Sequence, residues 1–82
     1  MLYKVVQVIN PATVKIFPKW NWNDLSGNLI GIRTLVGADL ESCDDCEELK
    51  SLTLNKTVEL RYPEYIHHNK LLCDLFLLEE EN

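Results

Sequence analysis

The chain has 82 residues, of which 46% are hydrophobic, and a formal net charge of −5 at pH 7. This length and composition predict one globular domain over residues 1–82 and exclude a multidomain enzyme or a wholly disordered chain. No apolar run approaches the roughly 20 residues that span a bilayer, so we expect no membrane partner.

The N-terminal segment and the cysteines bear on the cellular compartment. Residues 1–9 read as a β-strand and lack the pattern of a signal peptide. The three cysteines are an odd number, which fits reduced thiols better than a disulfide framework. Together these two observations predict a cytoplasmic protein.

The charge is unevenly distributed along the chain. Residues 39–48 hold six of the 13 acids and residues 79–81 hold three more, which leaves four acids against all eight lysines and arginines. One face of the domain is therefore expected to be weakly basic, while the helix and the tail are acidic. The alternative is that the acidic runs only keep the domain soluble.

The first elements in chain order are two strands and a loop. β-Branched residues over 3–9 predict a strand that ends at the turn signal Asn10-Pro11. Apolar and polar residues alternate over 13–17, which predicts the second strand of a hairpin. Pro18 is expected to end that strand, and residues 19–28, which include both tryptophans, read as a polar loop.

The third strand and a helix follow. Residues 29–33 read as a strand in which Gly31 indicates a bulge or a close backbone approach. Beyond it the period changes, because Cys46, Leu49 and Leu52 recur at helical spacing within the acidic stretch. Asn55 then reads as a left-handed helix stop.

Two more strands complete the pattern. Residues 57–62 alternate, with Tyr62 expected to point inward, and Pro63 is expected to end the strand. Residues 65–70 read as a loop and 71–78 as a last strand that is apolar on both faces. The order β-β-β-α-β-β predicts a mainly β fold with one helix, a five-stranded OB-type Greek-key barrel.

Several of these segments match a known pattern. Residues 8–15 read Val-Ile-Asn-Pro-Ala-Thr-Val-Lys, and residues 28–34 read Asn-Leu-Ile-Gly-Ile-Arg-Thr. With residues 49–60 and 69–72, they resemble the staphylococcal nuclease (thermonuclease-like) family. That family usually carries Asp-Gly-Asp-Thr before Val-Lys in its strand-turn-strand, and Arg-Leu-x-Gly-Ile-Asp in its third strand.

The resemblance also implies which functional groups are missing. In the family two aspartates bind calcium, a glutamate orients the attacking water and two arginines neutralise the phosphate. In that order, the corresponding residues here are Ala12, Arg33, Val36, Asn28 and Lys70. Carboxylates supply most of the binding energy of a hard cation, and Arg33 would repel one. We therefore expect an inactive homologue with no catalytic residues, no cofactor and no enzyme activity.

Aromatic and basic residues make a candidate ligand face. OB folds bind single strands by stacking bases on aromatic side chains beside basic groups. The candidates are Lys15, Lys19, Trp20, Trp22, Arg33, Arg61, Tyr65, His67, His68 and Lys70. The alternative is that the tryptophans pack over an open barrel end and that the histidines are ordinary loop residues.

The cysteines allow a weak metal hypothesis. Cys43 and Cys46 form a CxxC motif that could bind zinc together with Cys73 and His67 or His68. There is no second CxxC, and the motif falls on a predicted helix. The sequence therefore favours no metal, with Cys46 packed on the helix face and Cys73 buried and inert.

Two hypotheses of function follow. The first is protein–protein interaction or self-association through the acidic helix, the tryptophan loop or exposed sheet edges. The second is weak binding of single-stranded nucleic acid on the basic and aromatic face. A calcium-dependent nuclease is the residual alternative.

Overall fold

The fold is described from a computed structural model, which describes residues 2–37 and 46–78, the side chain of Cys46 excepted. In chain order the elements are β1 (Tyr3–Asn10), β2 (Thr13–Trp22), β3 (Leu25–Val36), α1 (Cys46–Thr53), β4 (Thr57–His67) and β5 (Lys70–Leu77). The expected mainly β class with five strands and one helix is confirmed. Both acidic runs, apart from the residues from 46 to 48, lie outside the described residues.

The five strands close into a ring in the neighbour order β1-β2-β3-β5-β4. Neighbouring strands are antiparallel except β3 and β5, which are parallel. The closure between β1 and β4 is short, because it consists of the pairs Tyr3 with Val58 and Lys4 with Thr57. The ring therefore has one thin junction.

The inside of the ring is an apolar core to which every strand contributes. Its buried members are Val5, Val8, Val14, Ile16, Trp20, Ile30, Leu49, Val58, Leu71, Cys73 and Leu75. Strand side chains alternate between the two faces of a sheet, so the residues between these members lie on the outer surface. No helix among the described residues has the length and apolar character needed to cross a membrane.

Helix α1 packs on β1 and inserts Leu49 into this core, where its side chain is 1% exposed. The buried Thr53 hydroxyl donates a hydrogen bond to the Leu49 carbonyl at 2.6 Å, which satisfies a polar group that has no access to water. Asn55 has φ 64°, so the expected left-handed helix stop is confirmed. The Asn55 amide then donates to the Val5 carbonyl and ties the helix end to β1.

The expectation that Pro18 ends the second strand is wrong, because β2 continues to Trp22. Pro18 lies in an irregular part of the β2–β3 ladder, between the paired residues Lys15 and Trp20, where no ladder amide is needed. The expected loop over residues 19–28 is a hairpin whose tight turn consists of Asn23 and Asp24, both with positive φ. Asparagine and aspartate adopt this conformation more readily than most residues.

Two side chains bridge the irregular part of this ladder. The Asn28 side-chain amide donates to the Ile16 carbonyl at 3.1 Å, and the Trp20 indole N–H donates to the Leu29 carbonyl at 2.9 Å. Gly27 leaves room for the indole, because a Cβ atom there would lie 2.9 Å from the Trp20 ring. Trp20 thus closes the gap between β2 and β3 from inside the ring.

The expectation that Pro63 ends the fourth strand is also wrong, because β4 continues to His67. Pro63 lies in a register shift between Arg61 and Tyr65, so its missing amide again breaks no ladder bond. Tyr62 has φ 56° and is 63% exposed, whereas the alternation predicted that it points inward. The bulge turns this residue out of the core.

The expected loop over residues 65–70 is mostly strand. Tyr65 and His67 lie on β4, and Lys70 begins β5. A tight turn of His68 and Asn69, both with positive φ, joins the two strands. Four of the candidate ligand-face residues are therefore held by a hairpin instead of a loop.

Candidate ligand-binding face

Two rows of side chains cross the outside of β2, β3, β5 and β4. Strand pairing gives the first row as Thr13, Gly31, Leu72 and Tyr65, and the second as Lys15, Leu29, Lys70 and His67. The row between them, Val14, Ile30, Leu71 and Ile66, points inward. Paired residues share a face of the sheet, so the first two rows lie together on the outside. We call these eight residues the outer face.

A shallow groove of about 150 Å³ lies on the outer face. It is lined by Ala12, Thr13, Gly31, Ile32, Tyr65, His67, Lys70 and Leu72. The Ile32 amide donates to the Ala12 carbonyl at 2.8 Å, which holds the β1–β2 turn beside β3. A Cβ atom at Gly31 would lie 3.3 Å from Leu72, so the glycine provides the expected close backbone approach.

A wider depression of about 410 Å³ adjoins the second row. It is lined by Gln7, Ile9, Lys15, Ser26, Gly27, Asn28, Leu29 and Asn69. No acidic side chain of the described residues lines either the groove or this depression. Within residues 2–37 and 46–78, neither Lys15 nor Lys70 makes an ion pair. The outer face therefore presents two positive charges that no acid of the described residues pairs with.

Two acids lie beside the first row, because Glu64 precedes Tyr65 on β4 and Asp74 lies two residues beyond Leu72 on β5. There the Arg33 guanidinium donates from Nε to Asp74 Oδ1 at 2.9 Å and from Nη1 to Glu64 Oε1. Arg33 reaches these carboxylates from a bulge in β3 between Ile32 and Thr34. The charge of the candidate ligand-face residue Arg33 is thus outweighed by two carboxylates, which leaves this cluster with an excess of one negative charge.

Arg61 is engaged in the same way. Its Nε donates to Glu59 Oε1 at 2.5 Å, and its guanidinium lies 4.6 Å from the centre of the Phe76 ring. The hydrogen bond from Arg61 is the main reason why the pKa of the Glu59 carboxyl is lowered. The pKa of the Arg61 guanidinium is raised by the same bond. Arg61 therefore does not add a free positive charge to the groove.

The tryptophans divide between the core and a separate pocket. Trp20 is 2% exposed, which leaves no ring face for a ligand base. Trp22 is half-buried against the core and lines a pocket outside the groove.

Lys19 is exposed on β2. His68 lies in the β4–β5 turn with its ring 4.0 Å from that of His67. The outer face thus brings together Lys15, Tyr65, His67 and Lys70 of the ten candidates.

The residues that correspond, under the nuclease resemblance, to the family's functional groups do not all lie together. Ala12 and Lys70 both line the groove, and Asn28 lines the adjoining depression. Arg33 and Val36 lie further along β3, where Val36 pairs with Phe76. The groove residues that sequence reasoning missed are Thr13, Gly31, Ile32 and Leu72. The alternation of β2 indicates that Thr13 and Lys15 share a face. The sequence does not show which residues of other strands pair with them.

The zinc hypothesis does not gain support from this arrangement. Cys73 is fully buried inside the ring, whereas His67 lies on the outer face, so these two residues cannot bind one ion. Cys43 and the side chain of Cys46 lie outside the described residues. The described residues contain no group of three or more His, Cys, Asp or Glu side chains that could hold a metal.

Burial raises the pKa of the Cys73 thiol from 9.0 to about 12, with a smaller contribution from the Asp74 carboxylate. We therefore expect Cys73 to react much more slowly with a thiol reagent at pH 8 in the folded than in the unfolded protein, since a thiol of this pKa holds about one thiolate in ten thousand. A C43S/C46S background isolates this thiol. Equal rates in the two states would contradict its burial.

The same shift has a consequence for stability at high pH. Below pH 9 both the folded and the unfolded states keep this thiol protonated. As the pH rises from 9 to about 12, the unfolded state loses its proton first, so the free energy of unfolding falls. Urea titrations of the C43S/C46S variant, with and without Cys73→Ala, measure this part of the pH dependence.

Comparisons of the chain with family models, with curated proteins and with solved structures gave no match.

Proposed function

We propose that the chain is a non-catalytic, nuclease-like OB domain whose outer face binds single-stranded nucleic acid. The observation that carries this proposal is the charge of Lys15 and Lys70, which no acid within residues 2–37 and 46–78 pairs with, beside Tyr65 and His67. Phosphate groups bind to such lysines, and a base stacks on an exposed ring at about 1–3 kcal/mol.

Strand order supports the assignment to the OB-type Greek-key barrel. The supporting features are the ring order β1-β2-β3-β5-β4, the parallel pairing of β3 with β5 and the helix between β3 and β4. In OB folds the outer surface around β2 and β3 receives the ligand. The groove lies on this surface.

The chemistry of the carried-over positions supports a non-catalytic role. Ala12 offers the groove a methyl group where the nuclease family has a calcium ligand, and Arg33 is bonded to Asp74 and Glu64. We expect single-stranded DNA to stay intact equally with calcium and with a chelator, because no metal-bound nucleophile forms. Cleavage that needs calcium and stops with the chelator would overturn this part of the proposal.

The binding test uses a fluorescently labelled single strand of thymidines at several salt concentrations. Each phosphate contact changes the slope of log affinity against log salt by about 0.7 for a single strand. We expect the double variant K15Q/K70Q to flatten this slope by about 1.4 and to weaken binding at low salt. Tyr65→Ala is expected to weaken binding by about 1–3 kcal/mol without changing the slope.

The matched control is K50Q/K56Q, which removes the same charge from the helix region. Lys50 is paired with Glu47, and neither lysine lines the groove or the depression. Because this variant has the same net charge as K15Q/K70Q, a general charge effect would weaken both equally. Equal weakening, or no salt-sensitive binding by the unsubstituted protein, would refute the proposal.

Self-association is a second candidate, favoured by apolar side chains on the outside of β1 and β2. Val6, Ile9 and Phe17 are exposed there, and Phe17 is 66% exposed. A second copy of the chain could cover them and so remove apolar surface from water. Sedimentation velocity over a hundredfold range of protein concentration tests this candidate, with Phe17→Ser as the variant that should stay monomeric. A protein that is monomeric throughout would exclude it.

A further inference from the structure

A second pocket lies where the ring is most thinly closed. β1 pairs with β4 only near Tyr3 and Lys4, and beyond Val58 strand β4 runs opposite the end of β2. The space left there measures about 290 Å³ and is lined by Tyr3, Trp20, Asn21, Trp22, Glu59, Leu60, Pro63 and Leu71. It shares no lining residue with the groove on the outer face. The two sites can therefore be tested separately.

The walls of this pocket are aromatic and rigidly placed. Trp20 is fixed by its hydrogen bond to Leu29 and by the close approach of Gly27. Tyr3 and Trp22 are half-buried and pack against the core. The strands on both sides therefore fix the orientation of these rings in the free protein, so that little side-chain conformational entropy is lost on binding.

The charged group of this pocket is an acid that is ion-paired outside it. Among the described residues, Glu59 is the only acidic one in the lining, and no described lysine, arginine or histidine lines the pocket. The Glu59 carboxyl is ionised at neutral pH, because the Arg61 hydrogen bond lowers its pKa. Arg61 bonds Glu59 at 2.5 Å and lies over Phe76, and it is not part of the lining, so the Glu59 charge is shared with a guanidinium outside the pocket. An anion would meet a carboxylate here and no cationic group of the described lining.

We propose that this pocket binds a methylated ammonium group. Tyr3 and Trp22 line the pocket with aromatic rings, which attract a cation through the ring quadrupole, and the Glu59 carboxylate adds an acidic group whose charge Arg61 partly offsets. Methyl groups make the cation large and weakly hydrated, so its apolar surface fits against the rings, Leu60 and Pro63. A pocket of this volume takes a group of side-chain size and not a drug-sized ligand.

The ligand chemistry has two possible sources, a free quaternary ammonium compound or a trimethyllysine side chain in a protein. The first arm of the experiment titrates the protein with choline and with 3,3-dimethyl-1-butanol, its uncharged isostere, and follows the indole resonances by NMR. We expect choline to shift the Trp22 indole signal at millimolar concentration and the alcohol to bind at least tenfold more weakly. The second arm compares a short trimethyllysine peptide with the same peptide carrying unmodified lysine.

If the trimethyllysine peptide binds more tightly than choline, the natural ligand is a methylated protein side chain. If the peptide and choline bind equally, the natural ligand is a free quaternary ammonium compound. Trp22→Leu is expected to abolish binding and Glu59→Gln to weaken it at least fivefold. If the Trp22→Leu variant does not fold, Glu59→Gln still tests the proposal, because it changes a surface residue and is expected to keep the fold. Lys50→Gln, on helix α1 and outside the pocket lining, is the control that should bind as the unsubstituted protein does.

Three results would overturn the proposal. The first is equal binding of choline and its uncharged isostere, which would show an apolar pocket without cation recognition. The second is unchanged choline binding by both Trp22→Leu and Glu59→Gln. The third is the absence of binding by choline and by the methylated peptide at concentrations that saturate the assay.

Discussion

Replacing Trp20 by alanine is expected to lower the free energy of unfolding by about 3–5 kcal/mol, the range for a large aromatic residue in a core. Trp20 is 2% exposed and closes the irregular part of the β2–β3 ladder. A domain of this length has about 4–12 kcal/mol of stability in total. The variant is therefore expected to lose a large share of its stability and to unfold at a much lower urea concentration, as measured by circular dichroism.

A conservative replacement separates the hydrogen bond from the packing. Trp20→Phe keeps most of the apolar contact but removes the indole N–H, so the Leu29 carbonyl loses its partner. The expected loss is about 1–3 kcal/mol, the cost of leaving one buried polar group unsatisfied. Trp22→Phe, at a half-buried position, is the control and should cost less. A loss below 1 kcal/mol for Trp20→Ala would contradict the position of the ring inside the core.

Replacing Leu49 by alanine is expected to cost about 2–5 kcal/mol and to release helix α1 from the ring. The helix has eight residues, too few to be stable alone in water, so it depends on the packing of Leu49 against the core. Loss of helical ellipticity ahead of the sheet signal during urea denaturation would show this release.

Leu52→Ala is the matched control for the helix, because Leu52 lies one turn further along and is half-buried. It removes the same atoms from the same helix and should cost clearly less than Leu49→Ala. If the two variants lost equal stability, the insertion of Leu49 into the ring would not be what holds α1 in place.

The class of the fold was predictable because it depends on local periodicity. The β-branched run of β1, the alternation of β2, the helical spacing of Leu49 and the stop at Asn55 are all properties of neighbouring residues. Strand ends were predicted less well. Pro18 and Pro63 read as breakers, yet each lies where the ladder is irregular and needs no amide donor. Ladder irregularities depend on pairing between distant segments, which a single sequence does not reveal.

The candidate site was predictable by residue type and not by position. Tyr65, His67 and Lys70 were identified as aromatic or basic groups near one strand pair, and the hairpin holds them on one face. Trp20 and Arg33 were identified by the same reasoning. One is enclosed by the core, and the other is bonded to acids that are 31 and 41 positions away along the chain. Burial and charge pairing are set by tertiary contacts.

The short junction between β1 and β4 sets where the domain would first open. Two residue pairs hold those strands together, whereas the other pairs of neighbours share longer ladders. Amide protons near Tyr3 and Val58 should therefore exchange with deuterium through a partial opening, well before those of β5. Since the aromatic pocket lies at this junction, a bulky guest could be admitted by transient separation of two strands while the rest of the molecule stays folded.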